Sequence, residues 1–207
     1  MTPFRRLEAV AGALPMSNID TDQLIPARFM RKPRSLGYQT FLLHDHRFDT
    51  SGNELPDFPL NRPEWRHVRI VVAGANFGCG SSRESAVYAL MDYGIRAVIA
   101  PSFGDIFRNN AMKNGLLPVR LAEKAVAKLT DALEQLPGRT LIVDLPGQWA
   151  GFSEDNSYTF EIDPFAKHCL LNGLDDIQLT LEHADAINAF EVNRRTESPW
   201  MLPAPKS

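Results

Sequence analysis

Residues 68–84 read Val68-Arg69-Ile70-Val71-Val72-Ala73-Gly74-Ala75-Asn76-Phe77-Gly78-Cys79-Gly80-Ser81-Ser82-Arg83-Glu84. The opening run is apolar and β-branched, and Gly74 stops it, which is the pattern of a strand. Gly78-Cys79-Gly80 makes a flexible loop. Ser81 with Glu84 three residues on has the spacing of a capping box, so a helix is expected to start there. Ala86, Val87, Ala89, Leu90 and Met91 give that helix a buried face, and Gly94 ends it.

The same alternation continues downstream. Residues 97–100 read as a strand, and Ser102 with Asp105 as the start of a helix that Gly115 closes. A short strand follows at 116–119. A helix over 122–136 comes next, with Ala125, Leu129, Leu133 and Leu136 on one side and Pro137-Gly138 as its stop. A strand is expected at 140–145. Strand–helix–strand order of this kind implies an α/β domain whose sheet is at least partly parallel. Leu145-Pro146-Gly147-Gln148 has the chemistry of a turn between two strands, so the sheet is expected to be mixed. Another strand is expected at 158–162, then a helix over 164–172 stopped by Gly173, and a last helix from about 181 to 195. By contrast, residues 1–67 read as irregular, being rich in turn formers such as Pro15, Asn18, Pro26, Pro33 and Gly37. The chain therefore divides into an irregular part (1–67), an α/β core (68–145) and a C-terminal part (146–207) ending in a tail with Pro199, Pro203 and Pro205, all within one domain.

Composition narrows the function classes. The chain has 207 residues, with 22 Lys and Arg against 25 Asp and Glu, a formal charge of −3. No basic block marks a nucleic-acid partner, and no apolar stretch approaches the roughly 18 residues of a membrane span. Arg5-Arg6 precedes a weakly apolar stretch, but Glu8 interrupts it and Pro15 follows, so no signal peptide is read and a cytoplasmic location is expected. Cys79 and Cys169 stand 90 positions apart, and neither belongs to a CxxC pair. A disulfide framework, or a four-cysteine metal or iron–sulfur site built from this chain alone, is not expected.

The segment 74–84 is where chemistry is expected. It lies at the carboxyl end of a strand and the amino end of a helix, where ligands of open α/β sheets bind. Its glycines let a ligand approach the backbone, and the unpaired N–H groups of a first helical turn favour an anion. Arg83 can grip a carboxylate or phosphate bidentately. The spacing is not that of a P-loop, a dinucleotide fingerprint or a hydrolase elbow, and a merely capped helix after a tight turn is an equal reading of it. A serine acts as a base only if its alkoxide is stabilised. A helix terminus supplies roughly 0.3–1 kcal/mol, at best ~2, whereas preorganised N–H donors in a dry site are worth roughly 3–4 kcal/mol each. Backbone amides of Gly78, Gly80 and Ser81 are therefore the expected source.

Other candidates have plainer readings. His44-Asp45-His46 lacks an evident third metal ligand, so a surface or structural role is the stronger reading and no metal ligand is assigned. Cys169 reads as a core residue. Cys79 stands in the loop, where substrate contact and packing are both open. Asn18-Ile19-Asp20-Thr21-Asp22 has turn and helix-capping chemistry, and Thr21 and Asp22 join the candidate site only if that stretch folds against the glycine loop.

Four stretches, 18–26, 76–84, 100–107 with 114–119, and 172–181, together resemble, in order and over nearly the whole chain, the small subunits of 3-isopropylmalate dehydratase. Those subunits are the detached swivelling domain of the aconitase superfamily. The resemblance implies a three-layer β/β/α swivelling domain with a mixed sheet. It implies a hydro-lyase subunit that works with a separate large subunit holding a [4Fe-4S] cluster, with no cofactor on this chain. The implied reaction isomerises 2-isopropylmalate to 3-isopropylmalate through 2-isopropylmaleate, in leucine biosynthesis. By similarity Ser81 would be the base, and Ser82 and Arg83 would hold its alkoxide and a substrate carboxylate. Asn76, Cys79 and Gly80 complete that loop as substrate-binding candidates. Residues 29–37 would be a substrate loop, with Arg34 as second carboxylate contact and Phe29, Met30 and Leu36 receiving the alkyl group. Arg31, Lys32 and Arg34 would also suit a tricarboxylate. The family commonly has His where Ser85 stands and Trp where His46 stands, which leaves paralogues of homoaconitase or methylmalate type open. A stand-alone anion-binding module is the alternative from another class.

Overall fold

Two four-residue stretches, Ile70–Ala73 and Ala97–Ala100, are buried from end to end. Strands covered on both faces read this way, as near-continuous apolar runs without alternation. They are β2 and β3 of a seven-stranded sheet in the computed structural model, which describes residues 1–201. The other strands are β1 (Arg6–Leu14), β4 (Leu117–Arg120), β5 (Thr140–Asp144), β6 (Trp149–Gly151) and β7 (Ser157–Thr159). Their order is β4-β3-β2-β1-β5-β6-β7. The first four are mutually parallel, and β1-β5-β6-β7 are antiparallel, so the sheet is mixed as expected.

β1 belongs to both halves. Its residues 6–10 pair with β5, Arg6 opposite Asp144 and Val10 opposite Thr140, while 11–14 pair with β2, Ala11 opposite Ile70 and Leu14 opposite Ala73. Burial changes character at the same point. Leu7 and Ala9 alternate with exposed Arg6 and Glu8, and then Ala11 to Leu14 are all buried. This corrects the reading of residues 1–67 as irregular. The second half of β1, Ala11-Gly12-Ala13-Leu14, carries little β-branched signal. It is a strand because its small residues let others close over it: a Cβ on Gly12 would sit 3.0 Å from Val68 Cγ1 and 3.4 Å from the ring of the buried Trp65.

Among the described residues eight helices accompany the sheet: α1 (Thr21–Leu24), α2 (His44–Arg47), α3 (Glu84–Tyr93), α4 (Asp105–Asn114), α5 (Glu123–Gln135), α6 (Pro164–Asn172), α7 (Asp176–Leu181) and α8 (Ala184–Glu197). Gly94, Gly115 and Gly173 end α3, α4 and α6 in the left-handed conformation, as their positions foretold. Ala125, Leu129 and Leu133 of α5 are buried, but Leu136 falls beyond the helix and is 60% exposed. The strand expected over 158–162 is the shorter β7, preceded by β6, which the sequence pattern does not separate. The last helix expected from about 181 to 195 is α8, and α7 before it is not foreseen in the sequence pattern. The chain forms two compact units, Met1–Gly173 and a second from Leu174 on. Pro203 and Pro205 of the expected tail lie outside the described residues.

Between β1 and β2 the chain runs through short helices and 3-10 turns. Buried Arg47 organises part of it, its Nε donating to Asn61 Oδ1 at 3.1 Å and Nη1 to the Gln39 and Leu42 carbonyls at 3.1 and 3.3 Å. Asn61 returns a bond to the Arg47 carbonyl at 2.6 Å. Burial lowers the pKa of this guanidinium, and the hydrogen bonds are what make a buried cation tolerable.

Candidate active site

The carboxyl ends of β1, β2 and β3 lead into three segments that continue the ladder beyond the strands. Gly74 N–H donates to the Met16 carbonyl at 3.1 Å, Gly78 N–H to Ile19 at 2.7 Å, and Thr21 N–H to Cys79 at 2.9 Å. On the other side Phe77 N–H donates to the Ser102 carbonyl at 3.0 Å, and Gly104 N–H to Phe77 at 2.9 Å. The glycine loop is thus sandwiched between residues 16–21 and 102–104. The stretch holding Thr21 and Asp22 does fold against it.

Two glycines make the sandwich possible. A Cβ on Gly78 would meet the Phe107 ring at 2.2 Å, and one on Gly104 would meet the Gly78 carbonyl oxygen at 2.5 Å. Gly78 also has φ +71°, where side chains are strained. Beneath the loop, buried Phe77 packs edge-on to Phe103 and Phe107, with ring centroids 6.3 and 5.4 Å away.

Helix capping here differs from expectation. Arg83, not Ser81, is the N-cap of α3, and no side chain caps the helix. Glu84 does not reach back to close a box; its Oε1 accepts from Asn114 Nδ2 at 2.8 Å. Gly104, not Ser102, likewise caps α4, while Ser102 Oγ accepts from Asn76 N–H at 2.8 Å. Local spacing suggests both serines as caps, yet the chain enters each helix later, and tertiary partners claim Glu84 and Ser102. The consequence bears on chemistry. Among the described residues the N–H groups of Gly80, Ser81 and Ser82 have no protein acceptor, and they run directly into the open first turn of α3. Such a run has the chemistry to bind an anion.

Ser81 and Ser82 are exposed and Arg83 is half-buried. Thr21 is buried, and its Oγ1 donates to the Ser81 carbonyl at 2.9 Å. The Ser81 hydroxyl has no protein partner among the described residues. Arg83 pairs through Nη1 with Asp22, which is 51% exposed. A guanidinium has five donors, so this pair leaves most of the fork for an incoming carboxylate. Cys79 is half-buried, and Gly80 is exposed with φ +89°. Asn76 is exposed at φ +59°, and its Nδ2 donates to Asn18 Oδ1 at 2.9 Å. Asn18, Ser102 and the capping box of Asp20 with Gln23 are supports that sequence reasoning did not assign to the site. The one available signal was Asn, which tolerates left-handed backbone, at both 18 and 76.

The side chains of the 29–37 segment stand in unlike settings. Phe29 is buried, its ring stacked on Phe41 at 4.3 Å, so it is a packing residue. Met30 and Leu36 are exposed, at 40% and 61%. Arg34 is not free: its Nη2 donates to Asp92 Oδ1 at 2.6 Å and its Nε to Oδ2 at 2.9 Å. Arg28 is bidentate to Asp45, and Lys32 lies over the rings of Phe29 and Phe41.

Among the described residues no three of His, Cys, Asp and Glu stand together as a metal site, and Cys79 and Cys169 do not pair. The donor set of this chain does not fit an iron–sulfur cluster. His46 stacks on Phe58 at 6.0 Å and His44 faces Phe29 and Phe48. A cavity of about 940 Å³ lies beyond β3, β4 and β7, lined by Arg108, Arg120, Glu123 and Gln148 among others, and by none of Ser81, Ser82 or Arg83. No helix among the described residues is long and apolar enough to cross a membrane.

The chain is similar to known proteins over nearly its whole length. Residues 1–124 match the family model of the aconitase C-terminal domain, and residues 176–204 match that of the C-terminal domain of 3-isopropylmalate dehydratase small subunits. The 3-isopropylmalate dehydratase small subunit of Paramagnetospirillum magneticum is 51% identical over 201 residues, covering 97% of this chain and 100% of that protein. That of Rhodospirillum rubrum is 50% identical over 201 residues and covers 97% of each. The crystal structure of a 3-isopropylmalate dehydratase from Methanocaldococcus jannaschii superposes with a TM-score of 0.61 at 26% identity, covering 90% of this chain and 99% of that one.

Proposed function

The chain belongs to the 3-isopropylmalate dehydratase small subunits of the aconitase superfamily, and from that membership we propose that it contributes Ser81 as the base of a two-subunit hydro-lyase. The reaction moves a hydroxyl between adjacent carbons, converting 2-isopropylmalate to 3-isopropylmalate through 2-isopropylmaleate. Ser81 Oγ, as alkoxide, takes the proton from the carbon beside a carboxylate. The electrons of that C–H bond form the double bond as hydroxide leaves the neighbouring carbon. Water then adds in the opposite sense: its hydroxyl goes to the carbon that lost the proton, its remaining proton neutralises the departed hydroxide, and Ser81 Oγ–H returns a proton to the other carbon. Ser82 and the N–H groups of Gly80 and Ser81 hold the alkoxide. Arg83 holds the carboxylate that gains charge as the proton departs.

The observation that carries this reading is the exposed Ser81 hydroxyl beside a run of unclaimed N–H groups, with Arg83 on the same loop. Ser81 stands at the surface, as half of a site completed by another chain would. The large subunit is that chain, and its [4Fe-4S] cluster would supply the Lewis acid for the departing hydroxyl. Lys32 and Arg34 are engaged within the protein, which supports an alkyl group rather than a third carboxylate at those two positions, whereas Arg31 is exposed with no protein partner among the described residues.

The test is reconstitution with the large subunit. Ser81→Ala should lower turnover by roughly 10²–10⁴-fold, the worth of a positioned general base, while association of the two subunits measured by ultracentrifugation is unchanged. Activity within about tenfold of wild type overturns the base assignment. Arg83→Lys should also lose activity, because a point charge does not replace a planar fork. Tight binding of isopropylmalate or phosphate by the isolated chain in calorimetry would favour an anion-binding module instead.

A further inference from the structure

We propose that Arg34 and Asp92 form a positioning pair that seats residues 28–37 against α3, and that Arg34 serves substrate binding through this seat without touching substrate. The proposal rests on the reading of the glycine loop as the reactive centre. It begins from a symmetry in how α3 is held. At its amino end Arg83 pairs with Asp22, which lies on α1. At its carboxyl end Asp92 receives Arg34, which lies in the 3-10 turn Arg34–Leu36. The chain between Asp22 and Arg34 is therefore clamped to both ends of one helix.

The second clamp is well made. Arg34 Nε is 2.9 and 3.2 Å from the two Asp92 oxygens and Nη2 is 2.6 Å from Oδ1, a fork-on-fork geometry. The guanidinium also lies over the Tyr88 ring at 4.2 Å, one turn back along α3. The Asp92 side chain is only 20% exposed. Hydrogen bonding to Asp92 raises the Arg34 pKa. Pro33 precedes the turn, and Gly37 with φ +88° ends it, its N–H donating to the Arg34 carbonyl at 2.9 Å. Buried Tyr38 donates its hydroxyl to the Lys32 carbonyl at 2.9 Å. Exposed Met30 and Arg31 are left spanning the gap between the Phe29–Phe41 stack and the Arg34 seat.

Distance separates a seat from a contact. Arg83 and Asp92 are nine positions apart, about 13 Å along a helix. A small diacid gripped by Arg83 does not extend to a guanidinium bound at Asp92. Arg34 thus sets where Met30 and Arg31 are presented, and losing it loosens that presentation.

The experiment uses the reconstituted two-subunit enzyme. Arg34→Asp and Asp92→Arg should each raise KM for 2-isopropylmalate about tenfold with kcat nearly unchanged, and the double exchange should restore KM to within about threefold. A double exchange as impaired as Arg34→Asp alone, or single variants with wild-type KM, overturns the proposal. Should a charge reversal prevent folding, the milder pair serves. Arg34→Gln and Asp92→Asn should be equally damaging and no worse combined, whereas a far larger loss for Arg34→Gln means substrate contact and overturns the seat. An independent arm needs no activity. Trypsin should cut the wild-type chain slowly after Arg31, the Lys32–Pro33 bond being resistant, and the Asp92→Asn chain several-fold faster, and equal rates refute the seat. Failure of the base assignment would appear in Ser81→Ala and leave this arm standing.

Discussion

Asp45 shows how one neighbour fixes the behaviour of one side chain. Its carboxyl is held at about 2, below the usual 3.8, chiefly by the hydrogen bonds from Arg28, with His44 adding to the effect. A carboxyl whose folded pKa is depressed stabilises the fold above its unfolded pKa. That contribution fades as pH falls through the folded value. Asp45→Asn should therefore lower stability at neutral pH, and the difference from wild type should close between about pH 4 and pH 2. Half the side chain is exposed, so the effect measured by urea unfolding should stay near or under about 1 kcal/mol. Ser81 is the contrasting residue. Its type and place were legible in the run from Gly78 to Glu84, but its freedom was not. The capping role that spacing suggested would have tied its hydroxyl to the helix backbone, whereas Arg83 begins the helix and Ser81 stays available.

At the scale of elements the decisive contact is between the turn after β2 and the start of α4. Gly78→Ala should destabilise the protein by more than about 2 kcal/mol, because a Cβ would overlap the Phe107 ring in addition to straining the backbone. Gly52 is the control. It has φ +84°, and a Cβ there would meet nothing within 4 Å, so Gly52→Ala should cost only the backbone term of about 1–2 kcal/mol. Urea midpoints at constant m separate the two, and equal losses would mean that Phe107 yields. Helices α3, α4 and α6 were legible with their stops, because a glycine in the left-handed conformation is a local event. The starts of α3 and α4 were not, since partners from elsewhere decide them: Ser102 is claimed by Asn76, 26 residues away.

For the molecule as a whole, β1 joins a parallel to an antiparallel half, and everything that positions the glycine loop lies within Met1–Gly173. Neither α7 nor α8 buries any of its residues.

The sequence alone determined the α/β class, the strands β2 to β5, the helix stops and the loop where Ser81 and Arg83 stand. All of these rest on periodicity and on backbone preferences that act within a few residues. Only the tertiary structure decided that Ala11-Gly12-Ala13-Leu14 is a central strand, that Ser81 caps nothing, and that Arg34 is spent on Asp92. Each of these depends on which group arrives from far along the chain, 58 positions in the case of Arg34. Local spacing says what a side chain is able to bind, and packing says which partner reaches it first.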